Sequence, residues 1–223
     1  MPKPRTQLHV LACACLLALT CVAAGQDSKE GGSAKSQAPS ALDQAIAAGQ
    51  FENSVYRNSW FGFSCRVPFG WVDRTDEMRE AAKDPSQATV LLGMFERPPQ
   101  AAGSTVNSSI VIAAESAAAY PGIKSAAQYF GPLTEVTDAQ GLTKVNDPYE
   151  FPVDGKPIVR EDFIKQMSGV GLHQGTLAWL TQGYIVSFTF IGGSDDEVQA
   201  LIEGLKIDYS RKPARNKSKA AKP

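Results

Sequence analysis

The chain has 223 residues, 43% of them hydrophobic, and a net charge of −1. That length fits one domain with appendages, and that apolar share suffices for a true core. Three of the four cysteines (Cys13, Cys15, Cys21) and one of the two histidines (His9) lie in the first 25 residues. A chain cut after Gly25 keeps only Cys65 and His173, which excludes an intramolecular disulfide, a cysteine-rich zinc site and a multi-histidine metal site.

The start has the three-part layout of a secretory signal. Lys3 and Arg5 supply positive charge, Val10 to Ala24 is apolar, and Ala23-Ala24-Gly25 offers small residues before the polar Gln26-Asp27-Ser28. The run is shorter than the roughly 20 apolar residues that a permanent span needs. Cleavage after Gly25 leaves a mature chain with no transmembrane helix, in the periplasm or secreted. Two other fates are a retained N-terminal anchor and a lipoprotein acylated at Cys21. For the second, Ala18 and Thr20 stand where a large aliphatic residue and Gly or Ala are usual.

Residues 26–53 read as a flexible linker, rich in Gly, Ser, Lys and Gln, with a possible short helix over Ala41 to Gly49. A single α+β domain is expected over 54–209. Residues 210–223 form a basic tail of six Lys/Arg and no acid, whereas residues 26–209 hold 14 Lys/Arg against 23 Asp/Glu. Gln26 to Ser40 and Ser210 to Pro223 lack apolar residues to bury and are expected to be disordered.

Within the domain, Phe61 to Val67 alternates as a half-buried strand does, and Pro68-Phe69-Gly70-Trp71 turns it. Thr89 to Phe95 and Ser108 to Ala114 are apolar strands. Ser125 and Gln128 have the spacing of a capping box and open a helix, which Gly131-Pro132 should interrupt. Ile158 to Met167, Leu172 to Leu180 and Tyr184 to Ile191 are three strands joined by short glycine-bearing turns, hence antiparallel hairpins. Ser194 and Glu197 open the last helix, where Val198, Leu201, Ile202 and Leu205 form one stripe. Ile207 to Tyr209 is a candidate closing strand.

The two tight turns define a register. With Gly169-Val170 as one turn, Gln166 opposes His173 and Ile164 opposes Gly175. With Gln182-Gly183 as the other, Trp179 opposes Val186 and Leu177 opposes Phe188. One face then carries Ile164, Leu177, Trp179, Val186, Phe188 and Phe190, and the last helix should cover it. The other face carries Gln174, Thr176, Ala178, Ser187 and Thr189. A slip of one residue would exchange the faces.

The run Tyr56-Arg-Asn-Ser-Trp-Phe-Gly-Phe-Ser-Cys-Arg-Val-Pro-Phe-Gly-Trp71 resembles the opening strand pair of the PsbP/Mog1-like proteins. The ending, three antiparallel strands and a helix, is similar to theirs. The resemblance spans about Ser54 to Tyr209. It implies a central antiparallel sheet with helices packed on it, and a protein that binds or assists assembly. Functions within that family differ so widely that the fold cannot choose among them.

No catalytic or cofactor motif is present. The Gly-x-Ser-x-Gly elbow and the phosphate-binding glycine loop are both absent. Cys65 and His173 are the one conventional nucleophile–base pair available, so a small hydrolase using Cys65 or a serine with His173 is the alternative. The candidate binding residues are Arg160, Asp162, His173 and Trp179: Arg160 and Asp162 alternate on one strand, near Trp179 and His173. They suit either a small polar pocket or a strand-edge ion pair with Arg160 stacked on Trp179. Asn107 and Asn216 match the glycosylation pattern. The leading expectation is an exported, non-catalytic binding or assembly-assisting protein of the cell envelope, with no cofactor and an envelope protein as partner. The basic tail suits an anionic polymer or lipid. It has no interleaved aromatic residue, which argues against specific nucleic-acid recognition.

Overall fold

A computed structural model describes residues 40–81, 86–98, 101, 105–167 and 169–207. The N-terminal segment with Cys21, residues 26–39 of the linker, the basic tail with Asn216, and Asp208 and Tyr209 of the candidate closing strand lie outside the described residues.

The order of elements is α1 (Ala41–Ala47), β1 (Gly49–Glu52), β2 (Val55–Asn58), β3 (Phe63–Arg66), β4 (Val72–Asp73), α2 (Thr75–Glu80), β5 (Ala88–Phe95), β6 (Ser109–Ser116), α3 (Ala126–Ala139), β7 (Thr143–Lys144), β8 (Tyr149–Val153), β9 (Lys156–Met167), β10 (Val170–Thr181), β11 (Tyr184–Gly192), α4 (Asp195–Ile202) and β12 (Leu205–Ile207). They build two antiparallel sheets. The small one runs β1-β2-β3-β12, and the large one runs β4-β5-β6-β11-β10-β9-β7, with β8 also on β9. The fold is therefore α+β, with antiparallel sheets and helices packed on them.

Three tight hairpins set this topology. Asn53-Ser54, Asp154-Gly155 and Gln182-Gly183 each hold two consecutive residues at positive φ, the backbone that matches the twist of the strands on either side. Pairing of Leu177 with Phe188 and of Trp179 with Val186 is as the turn at Gln182-Gly183 requires. The other hairpin differs. Met167 pairs with Val170, so Gln166 opposes Gly171 and Ile164 opposes His173. Gly169 at φ 88 moves the turn back by one residue and shifts the pairing by two. An even shift keeps every side chain on its face, so the sorting survives although the partners change.

The first face of the large sheet is apolar. Leu177, Val186, Phe188, Phe190, Ile110 and Ile112 are buried in one cluster with Phe63, Cys65, Val198, Leu201 and Ile202. Phe63 from β3 meets Phe188 edge-on at 5.0 Å, a favoured aromatic geometry. The cover is thus shared: the small sheet and α4 both pack here. Gly175 lets α4 approach, because a Cβ at that position would lie 2.9 Å from Val198 Cγ1. Ser194 caps α4 by accepting the Glu197 N–H at 3.2 Å. The helix ends at Ile202, and Leu205 lies in β12 rather than on the helical stripe. The two dispositions bury Leu205 alike, which is why a helical spacing could include it.

The second face is buried as well, under α3. Tyr129, Phe130 and Leu133 of that helix pack with Phe163, Ala178, Ile185 and Ile191. Gly131-Pro132 does not interrupt α3, which runs through Pro132 to Ala139. Proline at that point loses only the bond to the Gln128 carbonyl, and the buried side chains on both sides of it hold the helix to the sheet. α1 also belongs to the packed unit, with Leu42 and Ala45 in the main core. The ordered domain therefore begins ahead of Ser54.

Candidate functional site

Arg160 and Asp162 stand on the first face of β9, two residues apart and so on the same side. Arg160 Nε donates to Asp162 Oδ1 at 2.8 Å, and its Nη1 donates to Gln199 Oε1 of α4 at 2.8 Å. The guanidinium also lies over the Phe151 ring, 5.1 Å from its centroid. The second carboxylate oxygen of Asp162 accepts Asn146 Nδ2 at 2.8 Å and the Tyr149 hydroxyl at 3.4 Å. Asn146 Oδ1 in turn accepts the Asp162 N–H at 3.2 Å. A bent loop between β7 and β8 is thereby tied to the sheet by a charged anchor. Burial, and then the negative charge of Asp162, push the Tyr149 hydroxyl above its usual range, so it stays a donor.

His173 and Trp179 lie on the same face of β10 as Leu177, which is the partner of Arg160. His173 is separate from the anchor. It sits where β10 meets α4, with Nδ1 2.7 Å from Asp195 Oδ1. Trp179 is buried in the main core. The structure thus joins Arg160 to Asp162, places His173 at the start of α4, and uses Trp179 as core.

Four further residues complete the group: Asn146, Tyr149, Phe151 and Gln199. Tyr149 is paired with Arg160 across the β8–β9 hairpin. The Asp154-Gly155 dipeptide was the sequence signal for that hairpin; it would have brought Tyr149 and Phe151 into the site. On the rim, Val145 is 59% and Tyr149 40% exposed. This edge of the sheet therefore presents an exposed aliphatic and an exposed aromatic side chain beside a braced arginine–aspartate pair.

The proposed nucleophile is differently placed. Cys65 is wholly buried in the main core on β3, in the small sheet. Burial pushes its thiol up to about 12, and a thiol in that state is inert. His173 faces Asp195 on the large sheet, and among the described residues no hydrogen bond joins it to Cys65. Asn107 is also committed. Its Oδ1 accepts the Arg97 N–H at 2.9 Å and its Nδ2 donates to the Arg97 carbonyl at 3.0 Å, so it substitutes for a rung of the ladder.

Two carboxyl groups lie beneath α3. Glu115 accepts the hydroxyls of Tyr120 and Tyr129. Burial, and then the charge of Glu115, push the Tyr120 hydroxyl well above its ordinary range. Both phenols therefore serve as donors that brace the helix and the segment before it. Glu161 is 1% exposed, and burial raises it from 4.5 to about 7. Thr134 has one hydroxyl proton and two oxygens in reach: the Phe130 carbonyl at 2.7 Å and Glu161 Oε2 at 3.1 Å. When the shorter bond takes that proton, a protonated Glu161 completes the longer one. Among the described residues, no group of three or more His, Cys, Asp or Glu side chains could hold a metal ion. None of the described helices is long and apolar enough to cross a membrane.

No protein-family model and no curated protein matches the sequence. Among solved structures, the chain is similar to the PsbP protein (CyanoP) of Synechocystis, with a TM-score of 0.45 and 14% identity over 79% of this chain and 98% of that one. It is also similar to the Ran-binding protein Mog1p of Saccharomyces cerevisiae, with a TM-score of 0.39 and 12% identity over 66% and 90% of the two chains. LpqN of Mycobacterium tuberculosis, described as involved in cell envelope biogenesis, gives 0.38 and 16% over 66% and 83%.

Proposed function

We propose that this chain is an exported protein of the cell envelope that binds another protein or assists its assembly, without catalysing a reaction. The observation that carries the reading is the rim at β8 and the loop before it. Exposed Val145 and Tyr149 stand beside the braced Arg160–Asp162 pair. Tyrosine beside a fixed arginine is the composition of protein-binding hot spots, where a rigid polar frame holds an apolar contact in place. The frame's hydrogen-bonding groups are directed inward at Gln199, Asn146 and Asp162, which suits holding a shape more than moving a proton. Export is supported by the N-terminal layout of positive charge, apolar run and small residues.

The test is a pull-down from envelope extract with the full chain and with Tyr149→Ser and Val145→Asp. A partner retained by the wild type and lost from both variants, at unchanged melting temperature, supports the reading. Equal recovery with all three chains would assign the partner to another surface and remove this one.

A further inference from the structure

The small sheet has a buried side and an outer side, and the outer side is basic. Burial alternates along β2, β3 and β12. Tyr56, Phe63, Cys65, Leu205 and Ile207 point into the core, while Arg57, Arg66 and Lys206 are exposed. The register brings the three cations together. Arg57 and Lys206 both pair with Ser64, one on each side of it, and Arg66 is two residues further along the same strand. Glu52, opposite Val55, is the acid on this face, and Asp154 lies 3.8 Å from Lys206 at its margin. Among the described residues neither Arg57 nor Arg66 forms an ion pair. Most basic side chains with a defined partner are held elsewhere, so a positive patch sits on a body that is acidic as a whole.

Two features adjoin the patch. The first is Phe69, three residues beyond Arg66 and 97% exposed. It sits between Pro68 and Gly70, whose φ of 85 makes the bend, and a Cβ at Gly70 would meet nothing within 4 Å. An aromatic ring held into solvent by a proline–glycine bend gains nothing from the fold itself. The second is the chain that leaves β12 at the edge of this sheet. After Asp208 it adds Arg211, Lys212, Arg215, Lys217, Lys219 and Lys222, with no further acid.

We propose that the outer face of the small sheet is a docking surface for an anionic lipid bilayer. Arg57, Arg66 and Lys206 would lie against the headgroups, and Phe69 would enter the interface. Stable attachment to a membrane takes two signals, such as an apolar insertion and a cluster of cations, and this edge of the molecule holds both. A charged polymer would use the cations and leave Phe69 idle, whereas a bilayer uses both. The surface is distinct from the rim at Tyr149, and its test can fail without touching that reading.

The experiment is flotation of the full chain with vesicles of phosphatidylcholine alone or mixed with phosphatidylglycerol. Wild type should float with the mixed vesicles, in a salt-sensitive way, and stay behind with the neutral ones. Each cation removed should weaken partitioning about five-fold. Arg57→Gln, Arg66→Gln and Lys206→Gln combined should therefore lose roughly a hundredfold. Phe69→Ser, on an exposed loop that cannot unfold the domain, should lose about tenfold at unchanged melting temperature. Equal flotation with neutral vesicles, or a triple variant that binds as wild type, would overturn the proposal. Binding that follows the cations but ignores Phe69→Ser would overturn it too, and would give the face to a soluble anionic polymer.

Discussion

The two faces of the large sheet are both buried but differ in chemistry: the centre of one is apolar, and the other mixes apolar with hydroxyl side chains. Leu177, Phe188 and Phe190 point to one side, under α4 and the small sheet. Thr176, Ser187 and Thr189 point to the other, which α3 and α2 cover together, and each is at most 1% exposed. Alternation along β10 and β11 therefore does not mark an inside and an outside. It separates a largely apolar face from a mixed one that must also accommodate buried hydroxyl groups. Thr176 and Thr189 approach each other at 3.4 Å, Gln174 donates to Thr176, and Glu161 reaches Thr134 on the helix. A polar face can be covered when such bonds replace those to water.

The contrast predicts unequal costs. Phe188→Ala removes a fully buried ring that meets Phe63, and should cost about 3–5 kcal/mol in chemical denaturation. A cost near that of a surface substitution would show that the apolar face is not the main core. Glu161→Gln acts in the opposite direction. Between about 4.5 and about 7 the unfolded chain loses the Glu161 proton while the folded protein keeps it, so stability falls as pH rises through that window. The glutamine variant should remove that fall and gain about 3 kcal/mol at neutral pH. A variant whose stability follows the wild-type pH profile would mean that Glu161 is solvated in the folded state. Thr189→Ala is the smallest effect, about 1 kcal/mol for a weak buried hydroxyl contact. If it equals Phe188→Ala, the two faces are not different in kind.

These effects also measure how much of the fold was legible in residues alone. The strands β9 to β11 and the sorting of their side chains follow from short turns and period-two alternation, and a two-residue change of register left the sorting intact. α4 follows from Ser194 and its acidic first turn. The cover over this face was not legible, because Thr176, Ser187 and Thr189 look like solvent-facing residues, and the contact between the Thr176 and Thr189 hydroxyls joins two different strands. The path of α3 through Pro132 was hidden for a related reason: tertiary packing outweighs a local break. In the site, the Arg160–Asp162 pair was visible as alternation on one strand. Tyr149 and Asn146 were not, since short strands such as β7 and β8 carry little periodicity, although Asp154-Gly155 marked the turn between β8 and β9.

The central claim is that α3 closes the polar face as firmly as the small sheet and α4 close the apolar one. Native-state hydrogen exchange tests it directly, because protection reports the free energy of opening at each amide. Amides in α3 from Leu133 to Thr137 should exchange with the same opening free energy as those at the centre of β10 and β11. Rapid exchange of α3 through a local opening, while β10 and β11 stay protected, would contradict it and leave Thr176, Ser187 and Thr189 facing water.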